Sequence, residues 1–140
     1  MKAPILFVAL LAGCAGQQPL ISEALRPGEL QYVAGAADGA RILEGTLHLE
    51  YPDDSTVSGS WSIQWVAGVD TTQQVGQQVG TGQLRGTRQG GALYLDLNPG
   101  WADNNVILQA APAENGWNGT WGWDTIVGIQ AGGEFSATSR

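Results

Sequence analysis

The chain has 140 residues, of which 21 are glycine and only 14% are charged, against about 25% charged in an average domain. Thirteen carboxylates face six Lys and Arg side chains, a net charge of -7, so a phosphate backbone is repelled and a nucleic-acid partner is excluded. A single cysteine and a single histidine exclude a disulfide framework, a cysteine-based zinc site and most catalytic designs built on histidine.

The N-terminal stretch Met1-Lys2-Ala3-Pro4-Ile5-Leu6-Phe7-Val8-Ala9-Leu10-Leu11-Ala12-Gly13-Cys14 sets a positive charge before an unbroken apolar run closed by small residues. That order is the layout of a secretory signal. The run is too short for a permanent bilayer-spanning helix, which needs about 20 apolar residues. Leu11-Ala12-Gly13-Cys14 resembles the lipobox of bacterial lipoproteins. The resemblance implies cleavage before Cys14, a diacylglycerol thioether on its sulfur and a third acyl chain, such as palmitate, on the new amino group. Two or three chains anchor stably where one does not, because each buried methylene contributes about 0.8 kcal/mol. In lipoproteins of the enterobacterial kind, Ala15 after the cysteine, where Asp would retain the protein at the inner membrane, implies the outer membrane, facing the periplasm or the cell surface. The competing reading of Cys14 as a buried thiol in a core helix is opposed by the polar, Pro-containing segment that follows it at once. The expected organisation is a signal peptide over 1–13, a lipidated tether over 14–28 and one β domain over 29–140. After cleavage five arginines and thirteen carboxylates remain, a net charge of -8.

Beyond a possible turn at Ser22–Leu25, stopped by Pro27, the apolar residues recur with period two rather than 3.6. Leu30–Val33 is a weak strand. Leu43, Gly45, Leu47, Leu49 and Tyr51 share one face against Glu44, Thr46, His48 and Glu50. Pro52-Asp53-Asp54-Ser55 turns the chain. Val57, Gly59, Trp61, Ile63 and Trp65 then oppose Ser58, Ser60, Ser62 and Gln64. Residues 67–79, rich in Gln, Gly and Thr, read as a long loop. Gly80, Gly82, Leu84 and Gly86 make a fourth strand, and Leu93, Leu95 and Leu97 follow a Gln89-Gly90-Gly91 turn. Three more strands carry Val106, Leu108 and Ala110; Trp117, Gly119, Trp121 and Trp123; and Gly133, Phe135 and Ala137.

Small and large residues alternate on the inner face, as in Gly45/Leu47, Gly59/Trp61, Gly82/Leu84, Gly119/Trp121 and Gly133/Phe135, which suits the tapering interior of a small barrel. The prediction is an all-β, up-and-down antiparallel barrel of about eight strands, in which closure removes exposed edges, with a two-sheet sandwich as the alternative. The Gly-x-Trp strands resemble, strand by strand, those of the avidin and lipocalin barrels, which supports the fold and nothing more. A membrane-spanning barrel is not expected, since the outer face carries Ser, Thr, Gln, Arg and Glu where lipid would require apolar residues.

No local motif assembles catalytic chemistry. His48 sits on the polar face between Glu44 and Glu50. Asp103-Asn104-Asn105 lacks the glycine and terminal glutamate of a calcium loop. The glycines of 76–91 are not followed by the Lys-Ser/Thr of a phosphate-binding loop. The expectation is a protein that is not an enzyme and needs no cofactor or metal.

The tryptophans carry what functional signal there is. Trp61, Trp65, Trp117, Trp121 and Trp123 lie on the apolar faces of two strands, and Trp101 lies in a polar turn. Indoles supply large buried area, so they serve either as core or as the lining of a barrel interior or rim that takes a small hydrophobic ligand. Two functions follow: a membrane-anchored envelope lipoprotein that binds such a ligand, or a structural lipoprotein with a solid barrel whose outer surface meets an envelope protein. Polar residues among the tryptophans would mark a sugar site, and almost none are present.

Overall fold

The structure is a computed structural model describing residues 26–140. The signal segment, Cys14 with its lipobox, most of the tether and the turn expected at Ser22–Leu25 lie outside the described residues.

Eight antiparallel strands close into an up-and-down barrel: β1 (Gly28–Gly35), β2 (Arg41–Glu50), β3 (Thr56–Trp65), β4 (Gly80–Gln89), β5 (Ala92–Asp96), β6 (Asn105–Ala113), β7 (Gly116–Thr125) and β8 (Gly128–Thr138). The seam pairs Gln31–Ala34 of β1 with Thr138–Phe135 of β8. Closure leaves no edge strand to be blunted. One end, the floor, carries the start of β1, the end of β8 and the turn at 51–55. The other end, the rim, carries the loops at 36–40, 66–79, 97–104 and 126–127.

Alternation decides which side chains face inward. Leu43, Leu47, Leu49, Val57, Leu84, Leu95, Val106, Leu108 and Trp117 are all under 2% exposed. Two cross-strand rows explain where the glycines fall. Trp61 pairs with Leu47 on one side and Gly82 on the other, and Trp121 pairs with Leu108 and Gly133. In both rows an indole stands between a leucine and a glycine. A Cβ added at Gly82 would come within 2.7 Å of the Trp61 ring, so the missing side chain is the space the indole occupies.

The strands run longer than the alternation alone indicates. The weak segment at Leu30–Val33 becomes an eight-residue strand that closes the barrel. β8 begins at Gly128, where the pattern first becomes readable only at Gly133, because its first half, Gly128–Gly132, pairs with Gly122–Thr125 and has no buried residue. The loop at 66–79 also behaves differently from a surface loop. Its Val75 and Gln78 are buried, with Val75 part of the hydrophobic core cluster, so the segment is a strap across the rim.

Candidate functional site

The barrel brings Trp61, Trp117 and Trp121 into its interior, where each is under 9% exposed. Buried indole N–H groups need acceptors, and two find backbone carbonyls: Trp61 Nε1 donates to Leu97 O at 2.8 Å, and Trp121 Nε1 donates to Gly35 O at 2.8 Å. Trp117 lies at the floor, where its Nε1 and the Tyr51 hydroxyl are both buried without a hydrogen-bond partner. Trp65 and Trp123 are half-buried and pack on the core from the rim. Trp123 Nε1 donates to Asn104 Oδ1. That acceptor is aimed by a backbone kink, since Asn104 holds φ at 72°, a left-handed conformation that asparagine tolerates better than most residues. Trp101 stands apart from the other five, 65% exposed on the loop between β5 and β6.

Buried side chains occupy the interior, and two open grooves lie at the rim and on the outer wall. One groove of about 310 Å³ runs along the rim between Trp61 and Trp101, over Gly82, Leu97 and Pro99. A second, of about 550 Å³, lies on the outer wall of β5 to β8 and is lined by Tyr94, Ile107, Gly122, Ile129 and Gly132. Its depth comes from the paired glycines Gly122 and Gly132, which face outward and leave no side chain between their neighbours. Ile129 leans over Gly122 at 3.7 Å from the position of a Cβ there.

Above this groove the hairpin tip between β7 and β8 presents Ile126, Val127 and Ile129, exposed by 85%, 79% and 74%. The tip is fixed to the Trp101 loop, because Ile126 N donates to Asp103 Oδ1 at 2.8 Å. Val79, also exposed, extends the apolar rim toward β4. The charge here is negative. Asp124 and Glu134 edge the outer groove and no Lys or Arg lines it. Burial first, and then the carboxylates of Asp96 and Asp124, push the Tyr94 phenol above its ordinary value of 10.

The polar candidates take ordinary surface roles. His48 is half exposed, with Nε2 3.8 Å from Glu50 Oε1. Asp53 caps its turn, accepting from Ser55 N at 2.8 Å and Thr56 N at 2.6 Å, and these backbone donors hold its carboxyl down at about 2. Among the described residues no three His, Cys, Asp or Glu side chains are grouped to hold a metal ion.

Sequence reasoning found the tryptophans but missed Tyr94, Ile107, Ile126, Val127 and Ile129. A signal was present. Tyr94 and Ile107 are apolar residues at outward parity, set between the inward pairs Leu93/Leu95 and Val106/Leu108, and Ile126-Val127 puts two branched apolar residues where a turn should be polar. Comparison with known proteins adds no relative, since no family model, curated protein or solved structure matches the chain.

Proposed function

We propose that this chain is a lipid-anchored protein of the bacterial envelope whose barrel serves as a docking module. The anchor rests on Cys14 in its lipobox context. The observation that carries the docking reading is the exposure of Trp101, Ile126, Val127 and Ile129 at one rim while buried side chains occupy the interior. Large apolar side chains cost free energy in water, and a group of them on a folded domain marks a surface that is covered in use. With Asp124 and Glu134 beside the groove, the fitting partner is an envelope protein that presents apolar side chains flanked by Lys or Arg.

The test is site-specific photo-crosslinking in intact cells, with the probe at position 126 and a control probe at Ser62 on the opposite wall. An adduct of one discrete protein mass is expected from position 126 and none from position 62. The adduct should disappear when Trp101→Ser and Val127→Ser are combined. Adducts to lipid alone, or equal adducts from both positions, would remove the docking reading.

A second reading has its own observation. The groove of about 310 Å³ between Trp61 and Trp101 is of a size to hold a small hydrophobic ligand at the rim. Loss of tryptophan-quenching by a hydrophobic ligand in Trp101→Ala, without loss of stability, is its signature.

A further inference from the structure

Gln78 is the one buried polar side chain among the described residues, fully shielded in a core otherwise made of aliphatic and aromatic groups. Its carboxamide is satisfied in two directions. The Tyr32 hydroxyl donates to Gln78 Oε1 at 3.0 Å, and Gln78 Nε2 donates back to Val75 O of the same strap at 2.7 Å. Only the first of these bonds reaches the barrel. Tyr32 is the anchored partner: it is 1% exposed on β1 and its ring packs against Phe135 with centroids 5.6 Å apart. A leucine at position 78 would fill such a space without the desolvation of an amide. The site instead holds a fixed hydroxyl donor inside an apolar cup, with Trp123 against the strap at Gly76.

The strap that enters this cup is weakly held. Of residues 66–79 only Val75 and Gln78 are buried. Besides the Tyr32 bond, its hydrogen bonds to the barrel are Asn98 Nδ2 to Gln77 O at 2.8 Å and, at its base, Val66 N to Ile42 O at 3.0 Å. Gly76, at φ +66°, lays its backbone so close to the Trp123 indole that a Cβ would fall 2.6 Å from the ring. A segment with two buried side chains, and one more, Val69, partly buried against the core, opens at the low end of a protein's range of local stabilities.

We propose that the mouth of the barrel is a binding site for a small molecule joining a carbonyl acceptor to a branched apolar group, and that Val75 and Gln78 fill it as an internal stand-in. The isopropyl group of Val75 and the carboxamide of Gln78 describe the ligand's two halves. Tyr32 donates to its carbonyl, and binding displaces the strap toward solvent. This site lies beneath the strap and uses Tyr32, Val75 and Gln78, none of which belongs to the exposed patch of Trp101, Ile126, Val127 and Ile129, so crosslinking from position 126 neither supports nor weakens it.

The probe is isocaproamide, which carries an isopropyl group and a primary carboxamide in one molecule. Hydrogen exchange of the full chain should show amides at 66–79 opening well before those of the strands, and isocaproamide should speed exchange in the strap. Gly76→Ala, which sets a Cβ against the Trp123 ring and keeps the side chains of Tyr32, Val75 and Gln78, should loosen the strap and bind the probe more than tenfold tighter than the wild type. Val75→Gly with Gln78→Gly, which vacates the mouth, should do the same. Adding Tyr32→Phe to either should weaken binding by about tenfold, the value of one buried hydrogen bond. Exchange of strap and strand amides only together, or no saturable binding by folded Gly76→Ala, would overturn the proposal.

Discussion

The guanidinium of Arg88 lies 3.8 Å from the centroid of the Tyr51 ring, and this stack sits at the floor of the barrel, with Trp117 near the Tyr51 hydroxyl. A cation over an aromatic face contributes about 0.5–1 kcal/mol when exposed and about 2 kcal/mol when desolvated. Tyr51 is half-buried and packs on the core, which places the pair between those limits. Burial raises the Tyr51 phenol above its ordinary value, while the Arg88 charge pulls it back.

Replacing the cation tests that balance. Arg88→Met keeps most of the stem and removes the charge, and is expected to lower stability by about 1 kcal/mol in denaturant melts. It should also raise the Tyr51 pKa further, seen in an absorbance titration of the phenols. A Tyr51 titration unchanged by Arg88→Met would mean that the ring does not feel the guanidinium.

Alkaline pH should destabilise the barrel through Tyr32. Burial holds its phenol far above the ordinary value of 10.0. Below that value both folded and unfolded chains keep the proton, and the hydroxyl contributes its full share of stability. As pH rises past it, the unfolded chain releases the proton and the folded chain does not, so stability falls. Unfolding midpoints should be level to about pH 9 and drop toward about pH 11. In Tyr32→Phe the drop should be shallower by the equivalent of one proton, leaving the smaller parts of Tyr51 and Tyr94.

The tryptophans should separate by burial. Trp61→Ala and Trp117→Ala empty core positions and are expected to cost about 3–5 kcal/mol each, a large part of the stability of a small domain. Trp101→Ala, on an exposed loop, should cost about 0.5 kcal/mol or less. Equal losses at Trp101 and Trp117 in chemical denaturation would show the loop to be packed.

Anchoring should depend on one atom. Cys14→Ala removes the sulfur that would carry the acyl chains, and the protein should move from the detergent phase to the aqueous phase on partitioning, with no lipid mass on its N-terminus. Wild-type protein found in the aqueous phase with an unmodified Cys14 would end the lipoprotein reading. Residues 29–140 alone should still unfold cooperatively with a strand-dominated circular dichroism spectrum, because all eight strands of the closed barrel and the core cluster they bury lie essentially within them.

The barrel was legible because inward parity holds over most of each strand. Leu47, Leu49, Trp61, Ile63, Leu93 and Leu95 alternate with polar or exposed neighbours, and only the closed sheet buries all of them. The first half of β8 was hidden because Gly128–Gly132 pairs without burying an alternating face. The outer groove was hidden for a different reason. Parity alone turns Tyr94 and Ile107 outward, but it does not show that β5, β6, β7 and β8 lie side by side, so the groove that the two residues share with Gly122 and Ile129 appears only with the strand register. Burial of Gln78 could not be read at all, because its partner Tyr32 is 46 residues away in the chain.

The seam has a consequence for how this molecule can be rewired. Gly28 and Thr138 mark the two ends of the barrel's chain, and both lie at the floor, on adjacent strands where Gln31 faces Thr138 and Gly116 faces Thr138 from the other side. A short linker could join them and new termini could be cut in the strap, giving a circular permutant with every strand pair intact. Such a permutant would present its free ends at the rim, so that cargo fused there would stand beside Trp101 and Ile126, where the natural order of the strands keeps both ends of the barrel out of the way.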